Sequence, residues 1–222
     1  MTTIAILGGT GDLGTGLAIR WSKAGHNIII GSRTQEKADA ALVELKKISP
    51  DTPAQAMENG AAASAGEIVV LTVPFEHQLS TLEAVKPALE GKILIDVTVP
   101  LMPPKVGTVQ MPPAGSAGKQ AQDMLGDDVM VVTAFQNIAA HLLQQDINIE
   151  CDVLVAGNKK VARDTVIGLV EQAGMNGWHA GPIENSAAAE ALTSILIQIN
   201  RKHDISHSGL KIVGQELSLI HI

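Results

Sequence analysis

A glycine-rich stretch near the N-terminus has the residue types and spacing that hold a diphosphate. The pattern GxGxxG is formed by Gly9, Gly11 and Gly14, directly after the apolar run 4–7 and before a predicted helix. In such a loop the first glycine permits a tight turn, the second lets backbone N–H groups approach a pyrophosphate, and the third allows close packing of helix on strand. The helix N-terminus adds favourable partial charge. An ordinary glycine turn is the alternative, but the position between strand and helix favours a dinucleotide site.

The tip of the next apolar run carries bases where many dinucleotide sites carry an acid. NAD-binding sites place Asp or Glu about 20 residues beyond the glycines to bind the ribose 2′-hydroxyl. Here the run 27–30 is followed by Gly31, Ser32 and Arg33, with no acid at the tip. Ser32 can donate to a 2′-phosphate, Arg33 can pair with it bidentately, and Lys37 lies one helical turn further on. A single basic side chain on a surface is usually solvated. Three hydrogen-bond donors at one strand tip instead predict that the bound nucleotide is NADP(H).

Length, composition and charge restrict the kind of protein that carries this site. A chain of 222 residues with 45% hydrophobic content can fill one α/β domain plus a small appendix. A net charge of −7 without a basic block argues against nucleic acid or an anionic membrane as partner. Cys151 is the only cysteine, which excludes an internal disulfide and indicates a reduced, cytoplasmic setting. No apolar run is long enough to span a membrane.

Apolar runs alternate with helical stretches, which predicts βαβ units and a parallel sheet. The predicted strands are 4–7, 27–30, 54–57 (an edge strand), 68–72, 92–97, 129–132 and 152–156. The predicted helices are 12–24, 35–47, 58–64, a stretch that ends at 89, 158–173 and 186–200. Right-handed crossovers then give a Rossmann-like, doubly wound α/β fold with a small C-terminal α/β domain. The predicted divisions are an NADP-binding domain over 1–145, the small domain over 146–214, and a non-native or disordered tail over 215–222.

Two segments interrupt the simple pattern. Five prolines and three glycines over 100–118 predict a long ordered loop, and loops of that length are often functional. The helix over 186–200 is apolar almost all round. Such a helix must be buried, either inside the fold or against another subunit.

Several motifs recur together along nearly the whole chain. They are 7–14 (LGGTGDLG), 31–33 (GSR) with Lys37, 71–77 (LTVPFEH), 134–138 (AFQNI), 180–186 (AGPIENS) and 208–212 (SGLKI). In combination they resemble the NADPH-dependent reductases of the deazaflavin coenzyme F420, also called F420:NADP oxidoreductases. The glycine loop alone is shared with many reductases, whereas the combination is much more specific.

The resemblance implies a nucleotide site and a second coenzyme. The implied NADP contacts run along the glycine loop, the strand tip and the nicotinamide, at Gly9, Thr10, Gly11, Asp12, Leu13, Ser32, Arg33, Lys37, Val73, Pro74, Val99 and Ala140. Coenzyme F420 is implied as co-substrate, lying over the nicotinamide in a cleft that the smaller C-terminal part closes. The resemblance also implies a homodimer.

Hydride transfer between two stacked rings needs alignment and a dry site, because the rings themselves carry the electronics. An apolar floor from 73–74, 97–100 and 138–139 would serve at the strand ends. Plain core packing is the alternative for any one of these residues. We predict acceptor contacts at Pro74, Asn137, Ile138 and Ala139, and we assign no side chain a catalytic role. The chain has no tyrosine, which excludes the Tyr-x-x-x-Lys mechanism of short-chain dehydrogenases.

Titratable side chains offer few acid–base or metal sites. His77 is the best acid–base candidate, although a capping or hydrogen-bonding role is favoured for it. His203 and His207 have the i, i+4 spacing of metal ligands but lack a third ligand nearby, so we predict no metal. Cys151 is interpreted as a small buried residue, and Asp96 as a group that caps or bonds the proline-rich loop.

Three functions stay open at this point. The first is hydride transfer between NADP(H) and coenzyme F420. The second is NADPH-dependent reduction of a flavin, an imine or another small acceptor. The third is an NADP(H)-sensing protein without turnover, which rests on analogy between folds.

Overall fold

The computed structural model describes residues 1–214 as eight strands and eight α-helices. The strands are β1 (Thr3–Leu7), β2 (Asn27–Ser32), β3 (Ala54–Glu58), β4 (Ile68–Leu71), β5 (Ile93–Asp96), β6 (Met130–Thr133), β7 (Asp152–Gly157) and β8 (Asn176–Gly181). The helices are α1 (Asp12–Lys23), α2 (Gln35–Ile48), α3 (Asn59–Ala65), α4 (Gln78–Val85), α5 (Ala117–Leu125), α6 (Ala140–Leu143), α7 (Lys160–Gln172) and α8 (Ser186–His203). Short 3-10 turns cover Phe75–His77, Lys86–Ala88 and Ile183–Asn185. The tail predicted over 215–222 lies outside the described residues.

All eight strands belong to one sheet, in the order β3-β2-β1-β4-β5-β6-β7-β8. The neighbouring pairs are parallel except β6 and β7, which are antiparallel. The predicted doubly wound α/β fold is confirmed, and β3 lies at the edge as predicted. Because β1 lies between β2 and β4, the strand order reverses at β1. In open α/β sheets this is where a crevice opens at the carboxyl ends of the strands.

Alternate residues of β1 belong to two separate apolar cores, one on each face of the sheet. Ile4 and Ile6 join a cluster that includes Trp21 of α1 and buried side chains of α7. Ala5 and Leu7 join the cluster formed with α3, α4 and α5. Strands covered by helices on both faces show continuous apolar runs, which is why these strands were recognisable in the sequence.

The structure corrects the predicted elements at three places. Helix α5 begins at Ala117, inside the predicted loop 100–118, because the Ser116 side chain accepts a hydrogen bond from Lys119 N at 2.9 Å and caps it. Strand β8 and the four-residue helix α6 had no predicted counterpart. Helix α8 runs three residues beyond its predicted end.

Helix α8 is only partly covered within one chain. Ile195 is 45% exposed and Ile199 36% exposed. The interpretation that α8 lies wholly inside the core of one chain is therefore wrong for this side of the helix.

The sheet is continuous across the predicted division at residue 145, because β7 pairs with β6. That division stays a prediction. None of the helices in residues 1–214 is long and apolar enough to cross a membrane.

Candidate functional site

The glycine loop joins β1 to α1 in a conformation that depends on its glycines. Gly8 has φ 72°, and the backbone N–H groups of Gly8 and Gly9 both donate to the carbonyl of Gly31 in β2. A Cβ on Gly14 would lie 2.7 Å from Cα of Gly9, so the loop and helix approach too closely for a side chain. A Cβ on Gly11 would meet no atom within 4 Å, so open space lies in front of this residue.

The first turn of α1 is open to a ligand. Its N-cap residue is Gly11, and no side chain caps the helix. The N–H groups of a helix's first turn have no intrahelical partner and carry partial positive charge. The loop therefore presents donors to an anion beside open space, which is the arrangement that a diphosphate requires.

A cavity of about 220 Å³, here called the β2-tip pocket, opens next to this loop. Six of the predicted contact residues line it: Thr10, Ser32, Arg33, Lys37, Val73 and Pro74. Within the described part of the chain neither Arg33 nor Lys37 forms an ion pair. Cationic side chains without an internal partner at a strand tip suit a phosphate group.

The end of β2 and the start of α2 form one side of this pocket. Thr34 caps α2 by accepting a hydrogen bond from Lys37 N at 3.4 Å, so the helix begins directly after the strand tip. Arg33 and Lys37 are exposed, whereas Ser32 is only 6% exposed. The pocket thus combines a buried hydroxyl with two exposed cations.

Four residues line the pocket that the sequence did not single out as nucleotide contacts: Gly8, Asn59, His77 and Thr81. The sheet order accounts for Asn59, because it follows β3, the neighbour of β2. His77 is half exposed, and its Nε2 lies 3.7 Å from Glu76 Oε1. The structure thus places His77 on the wall of a cavity, and its backbone N–H donates to Pro74 O.

A second opening lies beside α8 and the segment that follows β6. It consists of two adjoining cavities of about 290 and 230 Å³, which share Asn137, Ala139, His207 and Ser208, and is here called the C-terminal cleft. Its walls also include Ile138, Leu142, Ile147 and Cys151 together with Thr193, Leu196 and Ile197 of α8. Three predicted acceptor contacts, Asn137, Ile138 and Ala139, therefore lie together. Pro74 lines the β2-tip pocket and is not among the residues of this cleft.

Asn137 is held by α8 rather than free in the cleft. Its Nδ2 donates to Ala189 O at 2.8 Å and to Thr193 Oγ1 at 3.1 Å. Thr193 in turn donates to Gln136 O at 2.8 Å. The amide nitrogen of Asn137 therefore attaches the segment after β6 to α8, and its contribution to a ligand contact would come from its other atoms.

A segment after α8, residues 206–212, returns to the start of β7 and closes one side of the cleft. Leu210 O accepts from Asp152 N at 2.8 Å, and Ile212 N donates to Asp152 Oδ2 at 2.7 Å. A Cβ on Gly209 would lie 2.8 Å from Cys151 Sγ, so the segment fits against the cysteine only with glycine there. Burial raises the pKa of the Cys151 thiol. Cys151 is buried, as predicted, and serves as packing for this segment.

The remaining predicted contacts line neither opening. Val99 and Ala140 are both half buried, and Ala140 begins α6. The Asp12 carbonyl accepts from Gln144 Nε2 at 3.2 Å, and Leu13 packs on the core.

Asp96 lies at the end of β5 and is fully buried. Its Oδ1 accepts from Thr98 N at 2.9 Å, and its other oxygen accepts from Gln78 Nε2. Burial raises the pKa of Asp96, against the opposing effect of these hydrogen bonds. The hydrogen bond to Thr98 N lies just before the proline-rich loop 100–118, so a bond from Asp96 to the loop itself stays a prediction.

Sequence reasoning missed Glu190, a carboxyl group that is 1% exposed. It accepts hydrogen bonds from the first two residues of α5. Burial raises the pKa of Glu190 to about 7, with the nearby Asp96 adding to the rise. The signal was present, since Glu190 is the only charged residue between 186 and 200.

No group of three or more His, Cys, Asp or Glu residues within 1–214 could hold a metal ion. The ring of His207 stacks edge-on against His141, with centroids 5.1 Å apart.

Comparison with known proteins gives a consistent result. The family model described as NADP oxidoreductase coenzyme F420-dependent matches residues 3–100. The F420-dependent NADP reductase of Methanocaldococcus jannaschii is 39% identical over 224 residues, covering 96% of this chain and 99% of that protein. The protein of the same description from Methanothermobacter marburgensis is 39% identical, covering 95% and 98%. A crystal structure of a candidate F420-dependent NADP reductase from Arthrobacter sp. FB24 superposes with a TM-score of 0.83 at 26% identity, covering 96% of this chain and 100% of that one.

Proposed function

Because this chain belongs to the family of F420-dependent NADP reductases, we propose that it transfers a hydride between NADP(H) and coenzyme F420. The chain is an NADP-dependent oxidoreductase, and its relatives are matched along nearly their full length. NADP(H) and F420 are its two coenzyme substrates. The structural observation that carries the proposal is that the glycine loop, Arg33 and Lys37 line the same pocket.

The residues present fit a dinucleotide phosphate. The uncapped start of α1 and the open space in front of Gly11 suit the diphosphate. Ser32, Arg33 and Lys37 surround the adjacent β2-tip pocket and suit the 2′-phosphate. On this basis we assign Thr10, Ser32, Arg33, Lys37, Val73 and Pro74 to the nucleotide, whereas contacts at Val99 and Ala140 stay predictions.

The C-terminal cleft suits a planar acceptor. Its walls combine apolar side chains, such as Ile138, Leu142 and Leu196, with polar ones, and they come from the segment after β6, from α8 and from residues 206–209. Residues 146–214, the small C-terminal part, thus supply one side of the acceptor site. We assign Asn137, Ile138 and Ala139 to the acceptor wall, whereas Pro74, which lines the β2-tip pocket, is assigned to the nucleotide.

The nucleotide supplies the hydride, and its electrons pass directly between the two rings. Reduction of the deazaflavin also takes up one proton, which solvent can provide. The residues of the protein bind and align the two rings and exclude water from them. In a reaction of this type, these effects supply most of the rate enhancement. The small side chain of Ala139, which lines both cavities, leaves room for a flat ligand.

One assay tests the proposal. The protein is mixed with NADPH and F420, and the visible absorbance of the deazaflavin is followed. We expect NADPH-dependent bleaching, with little turnover of FMN or a cyclic imine. Retained NADPH binding without bleaching would refute the function and favour a sensor, whereas turnover of FMN or imine alone would favour another reductase.

We further propose a homodimer in which α8 packs against a second copy. Ile195 and Ile199 expose large apolar surface on α8. The proline-rich loop continues this surface with exposed Met102 and Val109, and its Gly107 lies against Gln198 of α8. Contiguous apolar patches of this kind mark protein interfaces.

We also propose that the protein acts in the cytoplasm, which its free, buried cysteine supports. The net charge of −7 supports the proposal that nucleic acid is not a partner.

A further inference from the structure

Arg20, on α1, is the residue around which the wall of the C-terminal cleft is organised. Its guanidinium donates to five backbone carbonyls on two other parts of the chain. The acceptors are Leu143 O at 3.0 Å, Leu142 O at 3.3 Å, Gln145 O at 2.7 Å, Ile147 O at 2.9 Å and Ala173 O at 3.3 Å. All three guanidinium nitrogens donate to backbone carbonyls, and Nη2 shares its two N–H groups among Leu142 O, Gln145 O and Ile147 O.

Four of these five carbonyls belong to the segment 142–147. That segment ends α6 and continues without a helix or strand until β7 begins at Asp152. Few backbone hydrogen bonds hold it within the described residues: Leu142 N bonds to Ala139 O, and Gln144 N and Gln145 N bond to Leu142 O. Its conformation therefore depends on bonds from outside, and Arg20 supplies most of them. The C-terminal carbonyls of a short helix also carry partial negative charge that suits a cation.

The segment that Arg20 holds is one wall of the cleft. Leu142 and Ile147, whose carbonyls accept from Arg20, both line the larger cavity, and residues 148–151 continue the same wall. A displaced backbone at 142–147 would change the width of the opening that receives the acceptor.

Helix α1, which carries Arg20, also begins at the proposed nucleotide site. α1 begins at the glycine loop, and Gln144 Nε2 donates to the carbonyl of Asp12 at its first turn. Near the middle of α1, a Cβ on Gly16 would lie 3.4 Å from Ala140 O, so α6 packs directly on the helix. α1 therefore contacts elements of both openings, and Arg20 joins it to the wall of the C-terminal cleft.

We propose that Arg20 is a positioning residue, which holds segment 142–147 against α1 so that a planar acceptor in the C-terminal cleft is aligned with the nicotinamide. The inference rests on the proposed function. It predicts that loss of the guanidinium affects the acceptor much more than the nucleotide, because α1 keeps its own contacts to the glycine loop.

The test compares Arg20→Gln and Arg20→Lys with Lys23→Gln. Lys23 also reaches this segment from α1, through an ion pair with Asp146 at 3.0 Å in which both side chains are largely exposed. Exposed pairs of this kind contribute little, so Lys23→Gln is a matched control. The measurements are KM and kcat for F420, the Kd of NADPH, and thermal unfolding to show that each variant is folded.

We expect Arg20→Gln to raise the KM for F420 about tenfold or to lower kcat by a similar factor, since a misplacement of about 1 Å can reduce rates up to about 100-fold. The Kd of NADPH and all values for Lys23→Gln should stay within about twofold. Arg20→Lys should fall in between, and it is the variant to measure if Arg20→Gln does not fold. In a further variant, Arg20→Ala, millimolar guanidinium should partly restore the KM for F420, which a general loss of stability would not allow.

A folded Arg20 variant with an unchanged KM and kcat would overturn the inference. Equal losses in NADPH affinity and in KM would also overturn it, because they would show a general structural role. Absence of F420 turnover in the unsubstituted protein would instead refute the proposed function, and the inference with it.

Discussion

Glu190 of α8 accepts a hydrogen bond from the backbone N–H of Ala117, with 2.6 Å between Oε2 and the nitrogen. Its other oxygen accepts from Gly118 N at 3.0 Å, so one carboxyl group closes the N-terminus of α5. The carbonyl of Ala117 accepts from Gln78 Nε2, which also donates to Asp96. A chain of buried polar groups therefore joins α8 to the end of β5, and Glu190 is the member with a pKa near neutrality.

This arrangement predicts that stability decreases as the pH rises. Burial raises the pKa of Glu190 from 4.5 to about 7, so between these values the folded protein holds a proton that the unfolded chain has lost. The contribution of Glu190 to the free energy of unfolding is therefore complete below pH 4.5 and is lost as the pH rises through 7. A pKa difference of this size corresponds to roughly 3 kcal/mol of unfolding free energy.

Urea unfolding at pH 5 and pH 8 measures the effect, with Glu190→Gln as the comparison. The unsubstituted protein should lose about 3 kcal/mol more than the variant between the two pH values. Parallel pH profiles for both proteins would show that Glu190 does not titrate in this range.

Arg33 should discriminate between the two nicotinamide nucleotides. Arg33→Ala removes a cation from the β2-tip pocket, and a hydrogen bond to a charged group contributes about 1.5–3 kcal/mol. We expect the Kd of NADPH to rise about 10-fold to 100-fold and the Kd of NADH to change by less than about twofold. Fluorescence titration of both nucleotides measures the ratio. Equal losses would show that the 2′-phosphate lies elsewhere.

Two glycines of the loop should give opposite results on replacement by alanine. The Cβ of Gly14→Ala would lie 2.7 Å from Cα of Gly9, so the variant should unfold at a lower temperature and bind NADPH weakly. The Cβ of Gly11→Ala meets nothing within 4 Å, so the free protein should lose at most about 1 kcal/mol. NADPH binding should nevertheless weaken, because the methyl group enters the space assigned to the diphosphate. Normal affinity in Gly11→Ala would place the diphosphate away from this loop.

The homodimer can be tested on the outer side of α8. Ile195→Glu places a charge on a side chain that is 45% exposed in one chain and should convert a dimer to monomers. Val43→Glu is the control, because Val43 is 55% exposed on α2, away from α8. Light scattering after size-exclusion chromatography gives the mass. A monomer before substitution would refute the dimer.

The nucleotide half was predictable because its signals are local. Strands β1, β2 and β4 are apolar runs covered on both faces, and the structure has each of them at its predicted place. Ser32 and Arg33 stand at the tip of β2, where the fold rule alone indicates a phosphate site. The predicted start of the helix over 35–47 is confirmed, because the Thr34 side chain caps α2 and the helix begins at Gln35.

The C-terminal half was less predictable because its elements depend on distant contacts. β8 contains two glycines and an asparagine, which are poor strand formers, and it exists through its pairing with β7. α6 has four residues, too few for a periodic pattern, and Arg20 supplies its C-terminal hydrogen bonds from more than a hundred residues away. No local pattern marks Arg20 as the organiser of that wall.

The antiparallel pairing of β6 with β7 decides where a surface attachment would be tolerated. Because β7 runs against β6, it starts beyond the carboxyl end of β6, beside the C-terminal cleft, and runs back away from it, with Gly157 opposite Val132. The turn after it contains Lys159, whose exposed side chain caps no helix and forms no ion pair within the described residues. Immobilisation on an electrode through Lys159 would therefore leave the entrances for both coenzymes turned towards the solution.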